Sequence, residues 1–196
     1  MVRKLWLISC LALAAAAAAT ATPARAALSC SGQTSTRPFL PWLDPLNYVQ
    51  VQNGSLESTS GWSLAGGAAQ VSGNEPWYVN SSADRKSLAL PSGSSATSPA
   101  LCVTLLHPTV RFFAMNSGSS LVVLKVEAIT NIDGSKLVTP MGVLVGGGWQ
   151  PTLPLPLLTN LVAPVSGSVQ FRFTPVGLGT SGWRIDDVYV DPFKDR

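Results

Sequence analysis

The stretch Gly182-Trp183-Arg184-Ile185-Asp186-Asp187-Val188-Tyr189-Val190 decides how this chain is read. Trp, Ile, Val and Tyr are favoured in strands, so the run predicts a β-strand. Two adjacent aspartates interrupt it. Strict alternation turns one of the two carboxylates toward the core, where an unpaired charge is very costly. One resolution places one Asp in solvent at a bulge and pairs the other with an arginine such as Arg184 or Arg172.

Working outward from that strand, no helical periodicity persists anywhere. Short runs of alternating or apolar β-formers recur between clusters of Gly, Ser, Pro and Asn, the pattern of an all-β sandwich or barrel. About nine strands are expected, near Gly61–Gly66, Ala68–Ser72, Ser87–Leu90, Ala100–Leu105, Val110–Asn116, Leu121–Asn131, Lys136–Val145, Ser168–Pro175 and Gly182–Val190. In Leu121–Asn131, Val122, Leu124, Val126 and Ala128 share one side, and Lys125 and Glu127 the other, so that strand has one wet face. Asn131-Ile132-Asp133-Gly134 reads as its hairpin turn. The proline-rich segment Ser29–Gln52 reads as an ordered arm over the sandwich, and the prolines of Gln150–Pro164 confine any strand there to an edge. Pro91–Pro99 reads as a loop.

Arg3 and Lys4, the apolar run Leu5–Ala19 and the small-residue site Ala24-Arg25-Ala26 predict a secretory signal peptide over residues 1–26. The apolar run is shorter than the roughly 20 residues a membrane span needs, so no stable span is expected after cleavage. Of the 13 basic residues, Arg3, Lys4 and Arg25 leave with the signal, which matches the remainder to the 10 acidic ones. The mature chain is therefore near neutral and has no basic footprint for nucleic acid. It is expected to be secreted or held in the cell envelope, with residues 27–52 as the arm and 53–192 as one domain. In an exported chain Cys30 and Cys102 are expected to form one disulfide, the alternative being two buried thiols.

Two motifs then carry a resemblance. Asn53-Gly54-Ser55-Leu56-Glu57 followed by Gly61-Trp62, and Trp183-Arg184-Ile185-Asp186-Asp187-Val188, resemble the opening and closing motifs of galactose-binding-domain-like jelly rolls, a superfamily that includes many carbohydrate-binding modules. Leu56 stands where an aromatic is usual. The resemblance covers roughly residues 50–192. It implies a jelly-roll β-sandwich with its first and last strands side by side. It also implies a structural Ca²⁺ held by Glu57 and by Asp187 or Asp186, helped by backbone carbonyls, and calcium is the second resolution of the Asp-Asp problem.

Little in the sequence points to catalysis. The single histidine, His107, sits in a turn-like Leu-His-Pro-Thr context without a G-x-S-x-G elbow. Glu57, Glu75 and Glu127 stand isolated rather than paired as in a glycosidase. No His or Cys cluster suits a catalytic metal. The aromatics carry the functional hint, because sugars present flat C–H faces that stack on exposed rings. Trp77 and Tyr78, beside Asn74 and Glu75, and Trp149 beside Gln150, are the candidate ligand contacts; each also fits the core, where Trp62 and Trp183 belong. Arg111 is a cross-strand partner or a polar contact in a groove. Two functions follow: a non-catalytic module for a glycan or cell-wall polysaccharide, and an envelope structural or protein-interaction domain with no sugar site.

Overall fold

The computed structural model describes residues 32–103, 109–132, 135–157 and 167–191. The signal segment, Cys30, His107 and the stretch 158–164 lie outside them. Among these described residues, fourteen strands and one 3₁₀ turn follow in chain order. They are β1 (Ser35–Thr36), the turn η1 (Leu40–Trp42), β2 (Tyr48–Gln50), β3 (Ser63–Ala65), β4 (Ala69–Ser72), β5 (Lys86–Leu90), β6 (Ser95–Thr97) and β7 (Leu101–Val103). After these come β8 (Thr109–Asn116), β9 (Val122–Ile132), β10 (Ser135–Leu144), β11 (Gln150–Pro151), β12 (Leu155–Pro156), β13 (Gly167–Gly177) and β14 (Trp183–Val190). Each of the nine expected segments contains a strand. The additional ones are two or three residues long, too short to show alternation. The segment 91–99 is not all loop, because β6 pairs with both β13 and β3.

The chain forms two antiparallel sheets. The first runs β1-β2-β14-β5-β4, with β8 along the other side of β14 and the short β11 and β12 on β8. The second runs β10-β9-β13-β6-β3, with β7 also on β13. Their inner faces enclose one core that includes Leu88, Phe112, Leu124, Phe171, Phe173 and Trp183. Phe112 meets Phe173 edge-on at 5.0 Å, and Trp62 stacks near Phe173 at 6.1 Å. Trp62 and Trp183 are core residues, as their strand motifs imply.

The Asp-Asp strand solves its parity problem with a bulge. Asp186 pairs with Phe113 and Tyr189 with Arg111, so Asp187 and Val188 together oppose Phe112. Asp187 takes a left-handed backbone, φ 47°, a conformation Asp tolerates better than most residues. The extra residue keeps Ile185, Val188 and Val190 in the core and sends Tyr189 to the outer face. The freed Val188 backbone is taken up by the Asn53-Gly54 turn: Val51 N donates to Val188 O at 2.9 Å, and Val188 N donates to Gly54 O at 3.0 Å. The two motifs are thus in direct contact, and β2 pairs with β14 beside them. Leu56 adopts φ 56° yet is fully buried. Burying a leucine contributes about 1.5–3 kcal/mol, enough to offset the roughly 1–2 kcal/mol of a left-handed non-glycine.

The arm does more than lie over the sandwich, because its β2 is a strand of the first sheet. Phe39 and Tyr48 from the arm join Phe113 and Tyr189 in a second aromatic cluster on that sheet's outer face. Buried Arg111 holds the arm in place. Its Nη1 is ion-paired with Asp44, its Nε donates to Thr152 O at 2.8 Å, and its guanidinium lies 4.1 Å from the Phe39 ring centre. Tyr48 donates its hydroxyl to Asp44 at 2.7 Å. Removing one partner of a buried pair like this costs about 3–5 kcal/mol, so the arm belongs to the folded unit. Neither Asp44 nor Thr152 lies in a strand, so Arg111 serves here as an anchor for the arm and not as a cross-strand partner.

A Cβ on Gly54 would lie 2.7 Å from Val188 O and 2.8 Å from Val51 O. Those are backbone atoms inside the bulge contact and cannot step aside. Gly54→Ala is expected to destabilise the protein by about 2 kcal/mol or more, read as a lowered urea midpoint. A midpoint equal to that of the unaltered protein would show that the turn and the bulge do not depend on each other.

Candidate functional site

The loop from Gly73 to Arg85 joins β4 to β5 and carries Trp77 and Tyr78. Its neck is closed by Gly73 N donating to Arg85 O at 2.8 Å. Its shape comes from Glu75, which is fully buried: the carboxylate accepts the Trp77 amide at 2.5 Å and the Val79 amide at 2.6 Å. Those bonds turn the intervening side chains outward, and Trp77 and Tyr78 are each 45% exposed. Glu75 was expected among the ligand contacts. Its oxygens face inward and are engaged by the loop's own backbone, so it positions the aromatics instead. Asn74 donates to Glu75 O at 3.0 Å while its buried Oδ1 lacks a hydrogen-bond partner. Trp149 is half-buried against the outer aromatic cluster.

Beneath the loop lies an acidic floor. Asp186 is buried and accepts the Glu75 amide at 3.1 Å and the Asp187 amide at 2.9 Å, so both its oxygens anchor backbone. Asp187 is equally buried; Gln50 donates to its Oδ1 at 3.2 Å, but Oδ2 has no partner. Neither arginine proposed from the sequence serves them. Arg184 donates to Ser72 O, and Arg172 pairs with Glu127 at 2.8 Å. A bulge is present, but neither Asp is solvated.

Burial pushes Asp186 up to about 9, with the Asp187 charge adding to it. Burial likewise raises Asp187 to about 8, reinforced by the charges of Glu75 and Asp84 and, further down, Glu57. Asp84, itself buried, is a member of this floor that the sequence did not mark; it accepts from Asn80 at 2.9 Å. Glu57 uses Oε1 to accept the amides of Arg85 and Lys86, both at 2.6 Å. It ties the Asn53–Glu57 turn to the end of the aromatic loop.

The donor set fits a hard cation in one respect: Asp187 Oδ2 is a buried acceptor with nothing to accept. Among the described residues no group of three or more His, Cys, Asp or Glu is arranged to hold a metal, so an ion here would rely on backbone carbonyls as well. Asp186, with its oxygens on amides, is the weaker of the two expected Asp ligands.

The third glutamate, Glu127, is committed too. Burial alone would raise it, but Lys125 and Arg172 outweigh that and hold it low. A half-open groove of about 490 Å³ lies elsewhere, lined by Val143, Val145, Gly147, Leu153, Leu155 and Trp183 among others. A Cβ at Gly146 would lie 2.5 Å from the Trp183 ring, so part of the glycine run is needed for close approach.

This geometry is that of an all-β, jelly-roll β-sandwich. Among solved structures, the chain is similar to the tandem CBM22-1–CBM22-2 domain from Paenibacillus barcinonensis Xyn10C, with a TM-score of 0.50 and 10% identity, over 74% of this chain and 44% of that one. It is similar to the arabinose-bound α-L-arabinofuranosidase MgGH51, with a TM-score of 0.50 and 20% identity, over 78% of this chain and 28% of that one. A xylan-binding domain from CBM22 aligns at TM-score 0.46 and 12% identity, over 71% of this chain and 92% of that one. No protein-family model and no curated protein sequence matches the chain. At these identities the likeness is one of fold.

The raised carboxyls make the metal-free protein sensitive to alkali. Asp186 and Asp187 hold protons more tightly folded than unfolded. The resulting stabilisation is full below their ordinary pKa near 4 and is lost as pH rises through about 8 to 9. In chelator, the melting temperature is expected to fall between about pH 5 and pH 9, and Asp187→Asn to flatten that fall. A melting temperature level or rising across this window would refute the protonated-floor account.

Proposed function

We propose that the protein is an exported, non-catalytic glycan-binding module whose contact surface is built on Trp77 and Tyr78. The observation that carries this reading is the loop that presents them, with two large aromatic side chains held outward by a buried carboxylate. Leaving such rings in water forgoes about 25 cal/mol for each Å² of apolar surface, and spending buried polar bonds to keep them there suits a ligand contact. Fold analogy agrees, since similar solved structures include a carbohydrate-binding module pair and an arabinose-bound enzyme. The non-catalytic part is supported by the glutamates: Glu57, Glu75 and Glu127 are each engaged by backbone amides or by cations. Secretion or envelope location rests on the signal-like residues 1–26. No helix among the described residues is long and apolar enough to cross a membrane.

Cys30 and Cys102 would form a disulfide that fastens the arm to β7. The Gln33 side-chain amide already donates to Cys102 O at 3.0 Å, which brings the start of the arm to that strand. Peptide mapping without reductant should recover the two cysteines in one linked species, and recovery of two free thiols would discard the bridge.

Calcium is the proposed counter-charge for the acidic floor. Asp187 and Glu57 would hold it, with backbone carbonyls completing the oxygen set. The ion supplies the positive charge that the buried carboxylates lack and links the Asn53–Glu57 turn to β14. Bound calcium should abolish the alkaline loss of stability described above. At a hundredfold over its dissociation constant it adds about 2.7 kcal/mol, or about 5–10 °C in a chain of this size. A melting temperature at about pH 8 that chelator leaves unmoved would sink the assignment.

A second reading, an envelope protein-interaction domain, is favoured by the apolar groove around Val143, Val145 and Leu153, all exposed. A pull-down with a panel of insoluble polysaccharides and purified cell wall, in millimolar calcium, separates the two. Retention on one polymer, lost in Trp77→Ala, is the expected result. A folded protein retained by none of them would turn the search to a protein partner.

A further inference from the structure

The arm and the aromatic loop meet at one point. Trp42, at the end of η1, stands against Trp77 with ring centres 5.0 Å apart and planes at 89°. Both indoles rest on the same buried ring: Trp42 lies 5.3 Å from Phe113, and Trp77 lies 5.6 Å from it. The residue after Trp42 is unusual. Leu43 sits at φ 61° and is 94% exposed, so no burial of its own side chain offsets the strain. The next residue, Asp44, is fixed by Arg111, by the Tyr48 hydroxyl and by the Leu46 amide. A strained backbone held from both sides, with its neighbouring side chain aimed at an exposed aromatic, is the arrangement found where a surface has been shaped for binding.

Resting on the glycan reading above, we infer that Trp42 is a second ligand contact, that the site is composite between arm and loop, and that it grips a single glycan chain. The perpendicular rings give the class of ligand. A flat array of polymer chains, as on a crystalline surface, is matched by aromatic faces lying in one plane, whereas two rings at right angles share no plane. Such a surface could touch one ring face at most. A single chain can lay the C–H face of one sugar on one ring and bring its edge, or the next sugar, against the other. Both rings are braced by Phe113 before the ligand arrives, so little ordering is left for the binding step. Arg85, over the Tyr78 ring at 5.7 Å, stiffens the loop's outer side.

The test uses the full chain in affinity gels containing soluble polysaccharides, alongside sedimentation with crystalline cellulose and chitin. The expected result is retardation by a soluble polymer, weakened about tenfold or more by Trp42→Ala and to a similar degree by Trp77→Ala. Trp42→Phe keeps a ring on Phe113 and should retain the melting temperature while still losing several-fold in affinity. It carries the test if Trp42→Ala disturbs the arm. Full affinity in a folded Trp42 variant, with loss in Trp77→Ala, overturns the composite site and leaves the Trp77 reading intact. Binding to crystalline polymer alone overturns the single-chain assignment. No binding by the unaltered protein to any polysaccharide removes the glycan reading itself, and this inference with it.

Discussion

The added residue at Asp187 sets the terms for much of what surrounds it. A strand that buries both faces has to choose which side chains go inward. Inserting one residue between Ile185 and Val188 returns the hydrophobic set to the core after two acidic positions. The same insertion leaves the Val188 backbone unpaired within the sheet, and the Val51 amide and the Gly54 carbonyl supply the two missing partners. Only a residue without a side chain fits there. The two ends of the domain are therefore joined by backbone geometry, independently of what their side chains do.

The bulge also explains the acidic floor. It directs the Asp186 and Asp187 carboxylates toward the underside of the Gly73–Arg85 loop, where Glu75 and Asp84 are already buried. Three kinds of compensation are visible. Asp186 and Glu75 are met by backbone amides, Asp84 by an amide side chain, and Asp187 only in part. The first kind is rigid and local, which is why the loop has one shape. Burial, reinforced by the neighbouring carboxylate charges, makes Asp186 and Asp187 hold protons far above their usual range. Asp186 carries both shape and charge: its oxygens fix backbone, and its carboxyl is raised all the same.

Much of the sandwich could be read from the sequence because long strands advertise themselves. Leu121–Asn131 and Gly182–Val190 alternate over many residues, and the Asp-Asp pair announces its own anomaly. The arm's strand at Tyr48–Gln50 was missed for the opposite reason: three residues among prolines show no period. Trp42 meets Trp77, and Asp44 meets Arg111 across 67 positions, through contacts that leave no local pattern. Nothing in the local pattern marks Asp84, which its burial in the floor sets apart. The place of Glu75 beside Trp77 is legible, but its inward direction is not, because sequence spacing does not tell whether a carboxylate faces its own backbone or the solvent.

The position of β14 has a consequence for how the molecule comes into being. The last strand of the described chain is not an edge; it lies inside the first sheet, paired with β2, β5 and β8. Until it emerges, β2, β5 and β8 have no common neighbour, and Leu88 on β5 and Phe112 on β8 are not joined in one sheet. Pairings between chain ends are slow to form, because the entropy of closing so long a loop is spent before any contact rewards it. A nascent chain of this topology cannot complete its first sheet before residue 190 has emerged.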